Sequence, residues 1–312
     1  MTRAFVFPGQ GAQTIGMGKE FADQYASAMA VFQEVDDALG ENLSKLIWKG
    51  DIADLTLTHN AQPALMATSI AAMRALEAQG VDINAADFVA GHSLGEYSAL
   101  CAAGAISLTD TAKLLRIRGN AMQEAVPVGL GAMAAILGLD FTTVQEIANA
   151  ASADGDICQA ANDNDPSQVV VSGHKAAVER ACDLAREAGA KRAMLLPVSA
   201  PFHCALMQPA ADAMAAALAD VDVKTPAVPV IANVLASATS DSDEIKKLLV
   251  QQVTGSVRWR ESVEWMGANG VTEVFEIGAG KALSGMIRRI NRDINCVAVN
   301  NPEGAVAAAS AI

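Results

Sequence analysis

The stretch DFVAGHSLGEYSALCAAGAI, residues 87–106, holds the pattern that decides the fold. A short apolar run at 87–90 leads into GHSLG at 91–95, and an alanine-rich amphipathic segment follows at once. Glycines two residues before and two residues after a serine lack the Cβ atoms that would stop a sharp turn from closing. This G-x-S-x-G pattern predicts a nucleophile elbow, in which a strand turns abruptly into a helix.

Such an elbow would place the Ser93 hydroxyl at the C-terminal edge of the strand, above the start of the next helix. The first N–H groups of a helix have no partner within it, and the helix dipole favours negative charge there. An oxyanion that forms beside Ser93 would therefore be stabilised. The stretch predicts a serine nucleophile. A plain turn serine is the alternative, because a bare G-x-S-x-G also occurs by chance.

The composition narrows the class of protein. The chain has 312 residues, of which 52% are hydrophobic and 18% charged. These values are typical of a compact α/β enzyme, with one large domain or with a small domain inserted into a larger one. The net charge of −13 argues against nucleic acid and against an anionic membrane surface as general partners.

The cysteines and the apolar segments predict a cytoplasmic location. Five cysteines are scattered without a C-x-x-C pair, which favours reduced thiols over disulfides or a zinc site. The opening MTRAFVFPGQ is strand-like and is not the apolar core of a signal peptide. The alanine-rich stretches are interrupted by polar residues, so none supplies the ~20 apolar residues of a membrane span.

The order of predicted elements indicates a parallel sheet. We expect a strand at 3–7, helices at 17–39, 61–79 and 108–126, and the elbow strand and helix between the last two helices. Further on, we expect strands at 228–233 and 273–278 and helices after His203 and at 241–252, 258–268 and 283–290. Alternating strands and helices are typical of a parallel sheet that is covered on both faces. The alanine-rich tail from 303 is expected to be frayed.

Between these segments the pattern changes. The order strand, helix, strand, strand, helix, strand is predicted at 132–137, 141–151, 157–162, 168–173, 176–188 and 192–198. This order is that of a ferredoxin-like unit. We therefore expect a small subdomain at 128–198, inserted into a large α/β hydrolase-like subdomain formed by 1–127 and 199–312.

A serine nucleophile needs a base within hydrogen-bond reach, and histidine serves best near neutral pH. The chain has four histidines. His92 adjoins Ser93, so the two side chains should diverge, whereas His59 and His174 are expected to be exposed. His203 lies at the end of an apolar strand, where Pro197 and Pro201 shape the turn, and it is our predicted base. A packed loop histidine is the alternative.

The glycines of PGQGAQ, residues 8–13, could suggest a nucleotide loop. The dinucleotide pattern G-x-G-x-x-G fails because Thr14 stands where its last glycine belongs. A phosphate-binding loop fails because Gly16 is followed by Met17 and not by lysine. A tight turn that presents the backbone amide of Gln10 explains the glycines better.

Several motifs in one order carry a resemblance that covers nearly the whole chain. They are FVFPGQGAQ (5–13), GHSLGEYSAL (91–100), RGNAMQ (118–123), PFHCALM (201–207) and EIGAGKALSGMIRRI (276–290). Together they resemble the malonyl-CoA:acyl carrier protein transacylase family of fatty-acid synthesis. The resemblance implies a hydrolase-like α/β core with an inserted ferredoxin-like subdomain, as expected above from the order of elements.

The resemblance also implies a ping-pong reaction. Ser93 would attack the malonyl thioester of malonyl-CoA, and the ester would pass its malonyl group to the phosphopantetheine thiol of acyl carrier protein. His203 would carry the proton, and the backbone N–H groups of Gln10 and Leu94 would form the oxyanion hole. No cofactor and no metal are implied. The protein is expected to be a cytoplasmic monomer.

The same resemblance assigns substrate-binding positions. Arg118 would bind the free carboxylate of malonyl, which a guanidinium can hold with two hydrogen bonds; without the resemblance a solvated arginine would be preferred. Gln252 matches the position whose backbone carbonyl orients the histidine. Asn162 lies where the small subdomain faces the cleft, and His92 is a further candidate for carboxylate binding. Phe202 resembles the phenylalanine that precedes the histidine in malonyl-selective polyketide acyltransferases.

Some alternatives remain open. Acyl carrier proteins are acidic, so docking on this acidic chain needs a local basic patch. Lys191-Arg192 and Arg288-Arg289-Arg292 are candidates, and a solvated charged face is the alternative. The enzymatic rival is a serine thioesterase or esterase, which would want an acidic partner for His203. The other rival is a noncatalytic subunit that binds acyl carrier protein.

Overall fold

The computed structural model describes residues 1–153, 155–198 and 200–312. Its strands form one larger parallel sheet and one smaller antiparallel sheet. The strands are β1 Thr2–Phe7, β2 Phe88–Gly91, β3 Gly131–Leu137, β4 Cys158–Asp165, β5 Gln168–His174, β6 Arg192–Leu195, β7 Val230–Ile231, β8 Ala238–Thr239, β9 Val271–Ile277 and β10 Asn295–Val299.

Helices cover the sheets and connect their strands. They are α1 Lys19–Gln24, α2 Ala26–Leu39, α3 Leu43–Lys49, α4 Ile52–Thr56, α5 Thr58–Ala78, α6 Leu94–Ala102, α7 Leu108–Glu124, α8 Phe141–Ala151, α9 Lys175–Glu187, α10 Gln208–Ala219, α11 Ser242–Thr254, α12 Trp259–Ala268, α13 Ala282–Ile290 and α14 Pro302–Ala311. Within the described ranges, none is both long and apolar enough to cross a membrane.

The larger sheet has the order β10-β9-β1-β2-β7-β8, and its pairs are parallel except β7 with β8. Strand β1 lies near the centre. Phe5 and Phe7 point into one hydrophobic cluster and Ala4 and Val6 into another. Side chains alternate between the faces of a strand, so this burial on both sides confirms a parallel sheet covered on both faces.

The register of this sheet places the elbow. Phe7 of β1 pairs with Gly91 of β2, so the loops that follow these strands start side by side. Both loops leave the carboxyl edge of the sheet, where open α/β sheets bind their ligands. The segments that follow Phe7 and Gly91 therefore lie next to each other at this edge of the sheet.

The smaller sheet has the strand order β4-β5-β3-β6, with α8 and α9 connecting its strands. Every pair in it is antiparallel, and it has its own hydrophobic cluster with α8 and α9. This arrangement confirms the inserted ferredoxin-like unit. The boundaries at 128–198 remain a prediction, and residue 199, where the second part of the large subdomain was expected to start, lies outside the described residues.

Three expectations about individual elements were wrong. The helix predicted over 17–39 is two helices, interrupted at Tyr25 in extended conformation. The tail from 303 is not frayed. It forms α14, whose Ala305 and Ala308 are buried and whose first turn is capped by the Asn301 side chain on the Gly304 N–H. The strand predicted at 192–198 ends at Leu195.

The polar residues after 162 also differ from expectation, because they continue strand β4 to Asp165 where a loop was expected. Buried carboxylates need charged partners, and two arginines of the large subdomain supply them. Asp163 pairs with Arg260 of α12 at 2.8 Å, and Asp165 pairs with Arg289 of α13 at 2.8 Å. These ion pairs hold β4 against the large subdomain.

Candidate active site

The glycines around Ser93 have a steric reason. Ser93 adopts φ 54° and ψ −111°, a conformation that costs free energy for a residue with a side chain. A Cβ atom on Gly91 would lie 1.9 Å from the carbonyl carbon of Gly95, and one on Gly95 would lie 2.2 Å from the Phe7 oxygen. The turn can therefore close only with glycine at both positions, and β1 supports it from one side.

Ser93 and His203 meet, although 110 residues separate them in the chain. The Ser93 Oγ lies 2.7 Å from Nε2 of His203, a buried side chain. On the other side of the ring, Nδ1 lies 2.8 Å from the backbone oxygen of Gln252. A carbonyl oxygen only accepts, so Nδ1 carries the proton and Nε2 presents its lone pair to the serine hydroxyl.

The environment keeps His203 neutral. Burial, reinforced by the positive charge of Arg118, lowers the pKa of His203 from 6.5 to about 3. A neutral imidazole can accept the serine proton at physiological pH. The Gln252 carbonyl is the partner of Nδ1, where hydrolases place an acidic group.

Arg118 is buried and is held beside the nucleophile. Its Nη1 donates to Gln62 Oε1 at 2.7 Å, and its Nη2 donates to Ser93 Oγ at 3.1 Å and to Gln252 Oε1 at 2.8 Å. Gly119 makes this position possible, because a Cβ there would lie 2.4 Å from the His59 Cα and would push α7 away from α5. The buried Nε has no protein partner among the described residues.

Gln10 and Leu94 lie at the same cleft as Ser93. Leu94 is the first residue of α6, where N–H groups lack partners within the helix. Gly9 packs so closely against the elbow that a Cβ on it would lie 2.6 Å from the His92 oxygen. That contact brings the loop of Gln10 to the nucleophile, and Gln10 and Leu94 both line the cleft around Ser93.

The remaining predicted residues take different positions. The His92 side chain turns away from the base and reaches β4, where Nε2 lies 2.9 Å from Asn164 Oδ1; burial lowers its pKa. Asn162 of β4 lines the cleft. Gln252 is fully buried, and it lies behind Ser93 and His203. His59 is half-buried, and His174 precedes α9.

The cleft lies between the two subdomains and has a volume of about 530 Å³. The large subdomain contributes Ser93, Arg118 and His203, and the small one contributes the apolar side chains of Met133 and Val170. Among the described residues, no group of three or more metal-binding side chains occurs. The cleft is large enough for a small acyl group with part of its carrier.

Sequence reasoning missed two residues beneath the nucleophile. Glu96 is buried on α6, and its Oε2 accepts hydrogen bonds from the Asn233 backbone N–H at 2.9 Å and from Gln252 Nε2 at 2.8 Å. Asn233 Oδ1 accepts from the Ser93 N–H at 2.7 Å. Glu96 could have been noticed, since it is the sole charged residue of α6 and lies one turn after Ser93. Asn233 has no such signal in the sequence.

A parallel α/β sheet with a histidine-paired serine on a strand-to-helix elbow defines a class of enzymes that work through acyl–serine esters. The chain belongs to the acyl transferase domain family, whose model matches residues 4–289.

Curated relatives place it more narrowly. It is 49% identical over 300 residues to the malonyl CoA-acyl carrier protein transacylase of Bacillus subtilis, covering 96% of this chain and 94% of that protein. It is 46% identical over 305 residues to the protein of the same name from Escherichia coli K12, covering 98% of each. The resemblance seen in the motifs is therefore confirmed.

Solved structures agree. An acyl-carrier-protein-S-malonyltransferase from Bartonella henselae superimposes with a TM-score of 0.97 at 58% identity, covering 100% of this chain and 99% of that one. A malonyl-transacylase solved in complex with its type II polyketide acyl carrier protein superimposes with a TM-score of 0.96 at 41% identity, covering 100% of both chains.

Proposed function

We propose that this chain transfers the malonyl group from malonyl-CoA to the phosphopantetheine thiol of acyl carrier protein and thereby supplies fatty-acid synthesis. The observation that carries the proposal is the pairing of Ser93 with His203 at 2.7 Å beside a buried guanidinium, whose Nη2 lies 3.1 Å from the nucleophile. The first feature suits acyl transfer, and the second suits an acyl group with a free carboxylate. The relatives' names agree with both.

In the first half-reaction the Ser93 oxygen attacks the thioester carbonyl of malonyl-CoA. His203 Nε2 takes the hydroxyl proton as the new C–O bond forms. The carbonyl oxygen becomes an oxyanion, which the backbone N–H groups of Gln10 and Leu94 stabilise. The intermediate collapses with cleavage of the C–S bond, and the coenzyme A thiolate leaves with the proton from His203.

The second half-reaction repeats these steps with another nucleophile. His203 takes the proton of the phosphopantetheine thiol, whose sulfur attacks the ester carbonyl. Cleavage of the C–O bond then returns the proton to Ser93 and releases malonyl-acyl carrier protein. The carbonyl of Gln252 stabilises the imidazolium of both halves through its bond to Nδ1, 2.8 Å long in the resting site.

Arg118 indicates that the acyl group of the substrate carries a carboxylate. The Nε of the buried Arg118 guanidinium has no protein partner among the described residues, and a buried charge costs free energy unless it is paired. The carboxylate of malonyl would pair with this guanidinium, whereas an acetyl group has no charge with which to pair. His92 and Asn162 lie at the same cleft and are proposed to orient the bound malonyl group, and Phe202 to limit its size.

We further propose that the chain acts as a cytoplasmic monomer without metal or bound cofactor, with malonyl-CoA as its acyl donor. The carrier would dock at the mouth of the cleft, where α13 and the residues after β6 both line the wall. The exposed Arg288 of α13 and the exposed Arg192 of β6 lie on these two elements. They would meet an acidic carrier with positive charge.

The test is a transfer assay with labelled malonyl-CoA and the thiol form of acyl carrier protein. Initial rates at several concentrations of both substrates should give parallel double-reciprocal lines, since the first product leaves before the carrier binds. Label should appear on the carrier and stay on Ser93 when the carrier is omitted. Free malonate formed at an equal rate without a carrier would identify a thioesterase. Absence of any label on protein would leave a noncatalytic subunit.

Arg118→Ala tests the choice of acyl group. Malonyl transfer should fall by about a hundredfold or more, the effect of losing a charge-assisted bidentate contact, while acetyl transfer is retained or increases. Arg116→Ala, two residues earlier on α7, is the matched control and should leave both rates near wild type. Equal losses for malonyl and acetyl in Arg118→Ala would contradict the assignment.

A further inference from the structure

The carboxyl group of Glu96 lies directly beneath the nucleophile, and the mechanism above does not use it. Glu96 is 1% exposed and stands three residues after Ser93 on α6. It does not line the cleft, so it cannot contact substrate. Its Oε2 accepts one hydrogen bond from the side chain of Gln252 and one from the backbone of Asn233. A buried carboxyl with two such bonds orients its partners.

Gln252 is the partner through which Glu96 reaches the substrate site. The Gln252 Nε2 donates to Glu96 at 2.8 Å and to the Ser93 backbone oxygen at 3.0 Å. The Gln252 Oε1 accepts from Arg118 Nη2 at 2.8 Å. A flipped amide would point its NH₂ group at the guanidinium and its oxygen at the carboxylate. Glu96 and Arg118 therefore demand the same orientation of one amide.

Asn233 carries a second connection from Glu96 to the elbow. Its backbone N–H donates to Glu96 at 2.9 Å, while its side chain accepts from the Ser93 N–H at 2.7 Å and donates to the Gly91 oxygen at 2.7 Å. These bonds bracket the strained residue from both sides. A displacement of Asn233 would therefore also shift the backbone of Ser93.

We propose that Glu96 is a positioning residue for acyl-group selection: by accepting the hydrogen bond from Gln252, it fixes the amide that holds Arg118 where the substrate carboxylate binds. The inference rests on the proposed function, since it concerns the choice of malonyl over acetyl. Glu96 also supplies a negative charge near Arg118. Burial raises the pKa of Glu96 to about 7 against the opposing effects of Asn233, Gln252 and Arg118, so part of the population carries the carboxylate at neutral pH.

The test compares Glu96→Gln with Glu96→Asp. Glutamine keeps an acceptor oxygen at the same distance from the backbone, whereas aspartate keeps the charge but withdraws the acceptor by one methylene. The readout is the ratio of kcat/KM for malonyl-CoA to kcat/KM for acetyl-CoA. Partial unfolding lowers both values equally and leaves the ratio unchanged. A merely structural role of Glu96 would therefore not move it.

We expect the ratio in Glu96→Gln to remain within about threefold of wild type, and that in Glu96→Asp to fall by about tenfold, as expected for the loss of one hydrogen bond to a charged group. Gln252→Leu, which keeps the backbone carbonyl on His203, should lower the ratio by as much. Combining Gln252→Leu with Glu96→Asp should add little, because both changes break one connection.

An unchanged ratio in Glu96→Asp would overturn the proposal, as would equal losses in Glu96→Asp and Glu96→Gln. Additive effects in the double variant would do the same, since Glu96 would then not act through Gln252. These outcomes differ from a failure of the proposed function. In that case the wild type itself would transfer neither acyl group to acyl carrier protein.

Discussion

Ser93 and His203 stand on turns with nearly the same unusual backbone and with different supports. Their φ angles are 54° and 58°, values that residues with side chains rarely adopt. At Ser93 the strain is accommodated by glycines within two residues and by β1 alongside. At His203 no glycine lies within two residues; the residues on either side are Phe202 and Cys204, both buried.

The turn of His203 leans on the inserted subdomain. Pro201 packs against Gly131 at the start of β3, where a Cβ would lie 2.4 Å from the proline ring. The Ala205 N–H donates to Gln159 Oε1 of β4 at 2.7 Å. The large subdomain holds the His203 ring through the Gln252 carbonyl and packs against Phe202. The nucleophile is thus placed by its own strand, while the base is placed by contacts from both subdomains.

Both side chains are required for activity if Ser93 is the nucleophile and His203 its base. Ser93→Ala and His203→Ala should each lower the malonyl transfer rate by at least about a thousandfold, because the nucleophile and its base act as one unit. The double variant should be no worse than the poorer single variant. Rates are measured at saturating malonyl-CoA, with folding verified by circular dichroism. Retention of a tenth of the activity by either variant would contradict the assignment.

Two glycine substitutions test the two supports. Gly91→Ala places a Cβ against backbone atoms, which cannot yield, and should cost more than about 4 kcal/mol of unfolding free energy or prevent folding. Gly131→Ala places it against the Pro201 ring, which can shift with the His203 turn. For this variant we expect a loss of about 1–2 kcal/mol in the free energy of unfolding and a clear loss of activity. Urea denaturation and activity assays of both variants measure these effects. Equal losses of unfolding free energy in the two variants would contradict the difference between the two supports.

The pH dependence of the unfolding free energy tests the burial of His203. The folded pKa of His203 lies near 3, below its ordinary 6.5, so the neutral ring is favoured by folding. The resulting stability is complete above pH 6.5 and is lost as the pH falls from 6.5 towards 3, by about 1.4 kcal/mol per unit. The unfolding free energy of wild type should fall relative to His203→Gln by about 3 kcal/mol between pH 7 and pH 4. Identical pH dependence in the two proteins would contradict the burial argument.

The smallest predicted effect isolates the backbone strain. Glycine adopts positive φ without cost, so Ser93→Gly should be more stable than Ser93→Ala, and His203→Gly more stable than His203→Ala, by about 1–2 kcal/mol each. All four variants lack the catalytic group, so only stability is compared, by thermal or urea unfolding. If alanine were equal to glycine at either position, that turn would not be strained.

The sequence predicts much of this molecule because several signals are local. The alternation of elements indicates the parallel sheet, and the order of elements in 128–198 indicates the antiparallel one. The glycines at 91 and 95 indicate the elbow. Other features depend on distant partners. The strand β4 can bury Asp163 and Asp165 because the distant Arg260 and Arg289 pair with them.

The site divides in the same way. Ser93 is predicted from its motif and His203 by eliminating three other histidines, whereas the binding role of Arg118 required the family resemblance. Glu96 and Asn233 were missed, because their importance lies in hydrogen bonds to Gln252 and to Ser93. Glu96 has a signal in the sequence as the sole charged residue of α6, whereas Asn233 has none. The helix α14 was missed because an alanine-rich tail looks the same in sequence whether its small side chains pack or fray.

If Ser93 carries the acyl group, the acyl-enzyme can be weighed. The protein is mixed with malonyl-CoA alone, quenched in acid and weighed intact beside Ser93→Ala. We expect a mass gain of one malonyl group on wild type only, located on Ser93 by peptide mapping and discharged when acyl carrier protein is added before the quench. Stable malonylation of Ser93→Ala at the wild-type level, or of another residue in wild type, would contradict it.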